Sequence, residues 1–267
     1  MTERESHRPR KRFGQHFLVD QGVIDDIIAL VRPGPGERIL EIGPGEGVLT
    51  APLLAAGATV HAVEIDRDLA AHLGRRFAGN PDFALHNADI LDFDFHALDP
   101  VPPRWKVVGN LPYNISTPLL MRLLDHAACF SELVVMVQLE VAERLAAGPG
   151  SKAYGRLGIM AQRRASVTKQ FDIGPGAFAP PPKVDSAVVR LLPHAIGGDP
   201  VLDQRVDAIV RRAFGARRKT LANALRGFVG PAQLEACGIA PQARAEELAI
   251  ADFERLAAAL PDTFQPV

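Results

Sequence analysis

Arg38-Ile39-Leu40-Glu41-Ile42-Gly43-Pro44-Gly45-Glu46-Gly47 is a short apolar run that breaks into a glycine-rich turn. The run has the length and composition of a buried strand, and glycines at its carboxyl end let a ligand approach the backbone. Downstream, Val48 to Ala56 predicts a helix closed by Gly57, Thr59 to Val63 a second strand, and Asp66 to Ala78 a second helix. Phe83 to His86 reads as a third strand and Trp105 to Val108 as a fourth. Ser116 to Asp125 follows as a helix, Leu133 to Val137 as a fifth strand, and Leu139 to Ala146 as a helix. Strands that alternate with helices imply a parallel sheet wrapped on both faces, so the fold class is α/β. A helix from Leu157 to Arg163 and two last strands, Ser166 to Ile173 and Ser186 to Leu192, complete the pattern.

Upstream, residues 1–12 form a basic tail, and Gln21 to Val31 reads as an amphipathic helix. Val23, Ile27, Ile28 and Leu30 are spaced to bury one of its faces. Pro33-Gly34-Pro35-Gly36 stops it. At His194-Ala195-Ile196-Gly197-Gly198-Asp199-Pro200 the composition becomes that of a linker. Beyond it the chain reads as helices only, for example Val201 to Phe214 and Thr220 to Phe228. The expected organisation is therefore a tail (1–12), an α/β domain (13–197) and a small helical domain (198–267).

The 267 residues carry a formal net charge of -1, so total charge points to no nucleic-acid partner. The distribution differs. Arg4, Arg8, Arg10, Lys11 and Arg12 crowd the N-terminus, and Arg211, Arg212, Arg217, Arg218 and Lys219 crowd a later segment. Local basic clusters in a neutral chain suit contact with phosphates over one surface, although a solvated tail and helix face would read the same way. Two cysteines, Cys129 and Cys237, without CxxC spacing make a disulfide framework or a structural zinc unexpected, and a reducing, cytoplasmic setting is expected. No apolar stretch reaches the roughly 18–20 residues that would cross a bilayer, so no membrane partner is expected. No sequence feature points to an obligate oligomer, and a monomer is expected.

Three strand ends carry chemistry. The turn Gly43-Pro44-Gly45-Glu46-Gly47 departs from GxGxxG, because its third glycine comes one residue early and position 48 is Val. The second strand ends Val63-Glu64-Ile65-Asp66, which places a carboxylate where a ribose diol would lie, and one carboxylate suits two adjacent hydroxyls. After the third, Asp89 can accept from an exocyclic adenine amine. Each acid could instead cap a helix. No phosphate-binding Lys follows the glycines and Glu46 sits in the turn, so the ligand that fits is a nucleoside without phosphates. The fourth strand leads into Asn110-Leu111-Pro112-Tyr113: an amide, a proline-fixed carbonyl and an aromatic ring that can hold a planar amine. An Asn-Pro turn after a buried strand would look alike from four residues.

Glu41 to Gly47, Glu64-Ile65-Asp66, Ala88-Asp89 and Asn110 to Tyr113 together resemble the ordered motifs of S-adenosylmethionine-dependent adenine-N6 methyltransferases. The resemblance is closer to the ribosomal small-subunit RNA adenine dimethyltransferases, through Lys11 to Leu18, Phe178-Ala179-Pro180-Pro181-Pro182-Lys183-Val184-Asp185-Ser186 and Phe214 to Leu225. It spans roughly residues 9 to 228. It implies a Rossmann-like methyltransferase with a mostly parallel seven-stranded sheet and a small all-helical C-terminal domain. By resemblance the methyl donor, S-adenosylmethionine, is held by His16, Leu18, Gly43, Gly45, Glu64, Ile65, Asp89, Ile90 and Asn110, and no metal is needed. The His16 position is Asn in many relatives.

Adenine N6 is a poor nucleophile because its lone pair is delocalised into the ring. The Asn110 oxygen and the Leu111 carbonyl, presented by the bond to Pro112, can accept the N6 hydrogens and push density toward nitrogen. Tyr113 would stack on the base and face the donor's cation. Gly174 to Lys183 reads as a proline-stiffened loop exposing Phe178 and Lys183, with Phe178 the candidate for the base's second face. The alternative is a connector with Phe178 in the core. A helical adenine must leave its stack to reach such a pocket. Arg10, Lys11, Arg12, Lys183, Arg211, Arg217, Arg218 and Lys219 are the candidate RNA contacts. The resemblance implies dimethylation of two adjacent adenines in a 3'-terminal hairpin of small-subunit ribosomal RNA, on the RNA or the immature small subunit. Methylation of large-subunit RNA, as in resistance methylases, and a ribosome-assembly binding role stand as alternatives.

Overall fold

The computed structural model describes residues 15–98, 104–194, 199–216 and 218–261. It divides into two compact units, one running up to Ala142 with Ala165–His194, the other comprising Glu143–Arg164 and the chain beyond His194. The tail 1–12, with Arg10, Lys11 and Arg12, lies outside the described residues, as does Arg217.

The first unit is built on nine strands: β1 (Phe17–Leu18), β2 (Arg38–Ile42), β3 (Thr59–Glu64), β4 (Phe83–Asn87), β5 (Trp105–Asn110), β6 (Phe130–Gln138), β7 (Ala165–Ile173), β8 (Phe178–Ala179) and β9 (Ser186–Pro193) among the described residues. Seven of them form one sheet in the order β4-β3-β2-β5-β6-β9-β7. The pairs from β4 through β6 are parallel, and β9 runs antiparallel to both β6 and β7. The strand order reverses between β2 and β5, which is where an open α/β sheet leaves a crevice at its carboxyl edge. Gly109 of β5 lies opposite Ile42 of β2 in register, and a Cβ there would collide with the Ile42 carbonyl. Only glycine permits that approach.

Around the sheet lie α1 (Gln21–Val31), α2 (Thr50–Ala55), α3 (Arg67–Arg76) and α4 (Ser116–Asp125). Asp20 caps α1 by accepting from Val23 N–H at 3.1 Å. The buried face of α1 is Ile24, Ile27 and Val31, while Val23, Ile28 and Leu30 are only partly buried and pack on the rim of the core. Of the expected stripe only Ile27 is fully buried, and Ile24 and Val31 complete the buried face. α2 starts at Thr50 rather than Val48, because the glycine turn occupies the residues before it.

β1 and β8 pair antiparallel in a two-stranded sheet that sequence reading does not anticipate, with Leu18 opposite Phe178. Two-residue strands carry no periodicity to detect. This pairing corrects the expectation for Phe178. Its ring is 3% exposed and packs in the core with Leu18, Ile24, Ile27 and Val188. Lys183, in the same proline-rich loop, is exposed as expected.

The second unit contains α6 (Arg156–Gln162), α7 (Pro200–Gly215), α8 (Leu221–Ala224), α9 (Pro231–Ala236) and α10 (Ile250–Ala258), with α5 (Leu139–Ala146) spanning the division. The expected helix from Thr220 to Phe228 shortens to α8, four residues long. Glu143–Arg164, grouped with the α/β domain on sequence, belongs to this unit. Its Ile159 and Tyr154 are buried, Tyr154 donates to the Leu248 carbonyl at 3.0 Å, and Arg163 pairs with Asp203 at 2.7 Å and Glu254 at 2.9 Å. A composition shift marks where the chain leaves an element for good, but it cannot show a segment that packs elsewhere and returns.

Candidate functional site

At the carboxyl edge of the first unit's sheet lies a cavity of about 300 Å³. His16, Leu18, Gly43, Gly45, Glu64, Ile65, Asp89, Ile90, Asn110, Leu111, Pro112 and Tyr113, all read from sequence, line it together. Phe178 does not line it. Phe17, Leu69, Asn114 and Met136 do, and sequence reading passed over them as site residues. Met136 was findable: it lies on β6 opposite Asn110, at the carboxyl end of the next strand in the sheet.

The glycine turn is shaped by its neighbours. Gly45 has φ 58°, and a Cβ built there would sit 3.0 Å from the Phe17 ring. Gly47 has φ 80°, and its Cβ would meet Leu73 at 2.9 Å. The early third glycine therefore seats the turn on α3, and Arg76 of α3 also donates to the Glu46 carbonyl. A side chain at either glycine would be strained in the left-handed region and would also crowd a packed ring or methyl.

Glu64 ends β3 and is 4% exposed. Its Oε2 accepts from Gly45 N–H at 3.3 Å and its Oε1 from Asp66 N–H at 2.9 Å. Burial pushes its carboxyl up, and those backbone hydrogen bonds oppose the shift. Each oxygen keeps a lone pair that a ribose hydroxyl can use. Asp66, by contrast, is the N-cap of α3, accepting from Asp68 N–H at 3.0 Å. Of the two acids in Glu64-Ile65-Asp66, one serves the cavity and the other the helix. Asp89 accepts from Leu91 N–H at 2.9 Å through Oδ1, leaving its second oxygen for an amine. These donors and acceptors fit a nucleoside.

Glu41 lies deeper, 1% exposed, and accepts from the Thr50 hydroxyl at 2.6 Å. Burial, with the nearby Glu64 charge, raises its carboxyl to about 7 against the pull of Thr50.

Asn110 ends β5, and its Nδ2 donates to the His16 carbonyl at 2.8 Å. A carbonyl can only accept, so the amide's orientation is fixed and Oδ1 points away from His16. That Oδ1 is buried and has no hydrogen-bond partner. An unmet buried acceptor costs about 1–3 kcal/mol, so it marks a place where the fold holds a group ready for a ligand. Beside it, the Tyr113 ring stacks with the His16 ring at 5.7 Å and 22°. The Tyr113 hydroxyl shares a 2.5 Å hydrogen bond with Ser186, which is fully buried. Burial pushes the Tyr113 phenol up, so it stays protonated, and Ser186 opposes the shift. His16 Nδ1 donates to the Pro180 carbonyl at 2.7 Å. The segment around His16 thus fastens the Asn110 loop to the loop that carries Pro180 and Ser186.

Among the RNA candidates, Lys183, Arg211, Arg218 and Lys219 are exposed. Arg211 pairs with Asp207 at 2.7 Å, which partly neutralises it. Among the described residues no group of three His, Cys, Asp or Glu is placed to hold a metal, and no helix is long and apolar enough to cross a membrane.

The model of the family described as ribosomal RNA adenine dimethylase matches residues 6–262. The chain is 52% identical over 267 residues to a Pseudomonas fluorescens protein named ribosomal RNA small subunit methyltransferase A, covering 100% of this chain and 99% of that one. Among solved structures it resembles a dimethyladenosine transferase from Plasmodium falciparum, with TM-score 0.78 and 27% identity over 90% of this chain and 96% of that one. It also resembles the 23S rRNA methyltransferase ErmE, with TM-score 0.70 and 27% identity over 91% of this chain and 99% of that one. Both the sheet with its glycine turn and the Asn-Leu-Pro-Tyr edge of the cavity fall inside the matched span, and the chain belongs to the ribosomal RNA adenine dimethylase family.

Proposed function

We propose that the protein transfers methyl groups from S-adenosylmethionine to N6 of adenines in small-subunit ribosomal RNA, twice on each of two adjacent adenines in a 3'-terminal hairpin. The observation that carries this reading is the buried, unpartnered Oδ1 of Asn110, a residue that lines the cavity. It is an acceptor with nothing to accept from, next to a ring that can stack on a base.

S-adenosylmethionine, when bound, supplies a methyl group on a cationic sulfur. Glu64 would take the ribose hydroxyls and Asp89 with Ile90 the adenine, while the glycine turn leaves room for the rest. Asn110 Oδ1 and the Leu111 carbonyl would accept the two N6 hydrogens of the target. This holds the amine with its lone pair turned out of conjugation and stabilises the positive charge that develops on nitrogen. Tyr113 would stack on the target base, worth about 1–3 kcal/mol. Its orientation is set by Ser186 on one side and His16 on the other. An adenine in a helix has its N6 edge paired and its faces stacked, so it must be unpaired or flipped out to enter. Lys183, Arg211, Arg218 and Lys219, with Arg10, Lys11, Arg12 and Arg217, would meet the RNA backbone.

Small-subunit RNA is favoured over large-subunit RNA because the relative at 52% identity across the full chain carries the small-subunit name, whereas the 23S enzyme is 27% identical. Incubation with labelled donor and each unmodified ribosomal RNA or subunit, followed by nucleoside mapping, tests the reading. Label in N6,N6-dimethyladenosine of the small-subunit RNA is expected; label confined to large-subunit RNA, or none at N6, refutes it.

A further inference from the structure

We infer that Glu41 is a specificity-determining residue that makes the cavity favour the cationic methyl donor over its neutral spent product. The inference rests on the donor reading above and adds to it how the spent molecule is told apart from the fresh one.

Glu41 lies at the carboxyl end of β2, one residue before the strand's end, and lines the cavity. It is 1% exposed, and no Lys, Arg or His pairs with it among the described residues. The groups around it add no positive charge. α2 presents Thr50, which donates both its hydroxyl and its backbone N–H, and the end of β3 presents Glu64, a second acid. In register beside it stand Ala62 of β3 and Val108 of β5. A carboxyl that deep with no cation is half of an ion pair, and burial normally keeps it neutral. Donor and product differ at one atom: the donor's sulfur bears three carbons and a positive charge, and loss of the methyl leaves an uncharged thioether. A buried carboxylate on the wall attracts the first and gains nothing from the second.

Burial and Glu64 raise the Glu41 carboxyl to about 7, so it is shared between its two forms near neutral pH. Donor binding then draws its proton off to solvent, and product binding does not. By linkage, affinity for the donor must rise with pH relative to affinity for the product over the range where Glu41 ionises.

The test is calorimetric titration of the full chain with S-adenosylmethionine and with S-adenosylhomocysteine at about pH 6 and pH 8, in buffers of different ionisation enthalpy. The expected result is a donor-to-product affinity ratio that rises about five- to tenfold across that range, the scale set by one pKa unit. Proton release is expected on donor binding only. Glu41→Gln keeps whatever pH dependence the ligands' own amino group contributes, so the part of the rise it abolishes belongs to Glu41. Thr50→Val removes the hydroxyl hydrogen bond, the larger of the two from Thr50 that favour the charged form, and moves the rise to higher pH. The wild-type proton release needs no variant and stands even if a variant fails to fold. An equal ratio at both pH values with no proton release, or an undiminished rise in Glu41→Gln, overturns the inference. Binding of neither molecule at any pH overturns the donor reading itself.

Discussion

The amide of Asn110 is oriented by the backbone of His16. Its Nδ2 donates to the His16 carbonyl at 2.8 Å, across 94 positions of sequence, and this leaves Oδ1 buried without a partner. Neither residue does this alone. β5 delivers Asn110 to the sheet's edge beside the glycine turn, and the short pairing of β1 with β8 holds His16 over it.

Tyr113→Phe should retain most methyl transfer, because the ring supplies the stacking. Tyr113→Ala should weaken productive RNA binding by about 10- to 100-fold, from the ~1–3 kcal/mol that a stacked base contributes. Donor affinity should be nearly unchanged in both. Steady-state kinetics with unmodified small subunits, beside donor titration, separates the two effects.

Glu41 makes stability depend on pH. Its folded carboxyl is raised from 4.5 to about 7, so the folded protein holds a proton that the unfolded chain has already released. The stability linked to that proton is fully present below pH 4.5 and is lost as pH rises through about 7, a difference on the order of 3 kcal/mol. Glu41→Gln should remove the dependence, so its stability relative to wild type should improve from pH 5 to pH 8. Urea unfolding at both pH values measures this, and a constant difference would count against a raised Glu41.

Charge reversal at Arg218 and Lys219 should weaken RNA binding and lower the salt slope by roughly 0.7–0.9 for each phosphate left without its cation. Donor affinity should not change. Reversal of Arg211 should do less, since Asp207 already pairs with it. Binding measured over a salt series decides, and an unaltered slope would make these residues solvated cations only.

Gly109→Ala should be severely destabilising, by about 2 kcal/mol or more, because a Cβ would strike the Ile42 backbone between paired strands. Thermal unfolding checks it; a shift of less than a degree or two would mean the strands can part.

Much of this architecture is legible in the chain because its strands and helices follow one another with clear breaks. Arg38–Ile42, Gln21–Val31, Ser116–Asp125 and Leu139–Ala146 begin and end where apolar pattern and turn residues say they should. The cavity is legible for a related reason: in an open α/β sheet, site residues sit at strand ends, and strand ends can be read. What periodicity cannot convey is where a short extended segment goes. β1 and β8 have two residues each, and their pairing is what turns Phe178 into the core. The same holds for Glu143–Arg164, whose packing with α7 depends on Arg163 meeting Asp203, forty positions on. Glu64 and Asp66 look equivalent in the strand-end pattern; the family resemblance picks Glu64, and hydrogen-bond geometry shows why, with Asp66 spent on capping a helix.

The central claim is that the Asn110 oxygen accepts from the target amine. It is tested most directly by the single-turnover rate of methyl transfer, at saturating donor and unmodified small subunits, in wild type and Asn110→Ala. A fall of about 100-fold or more is predicted, the scale of removing one preorganised acceptor or donor from a reacting centre. A rate within threefold of wild type would contradict it.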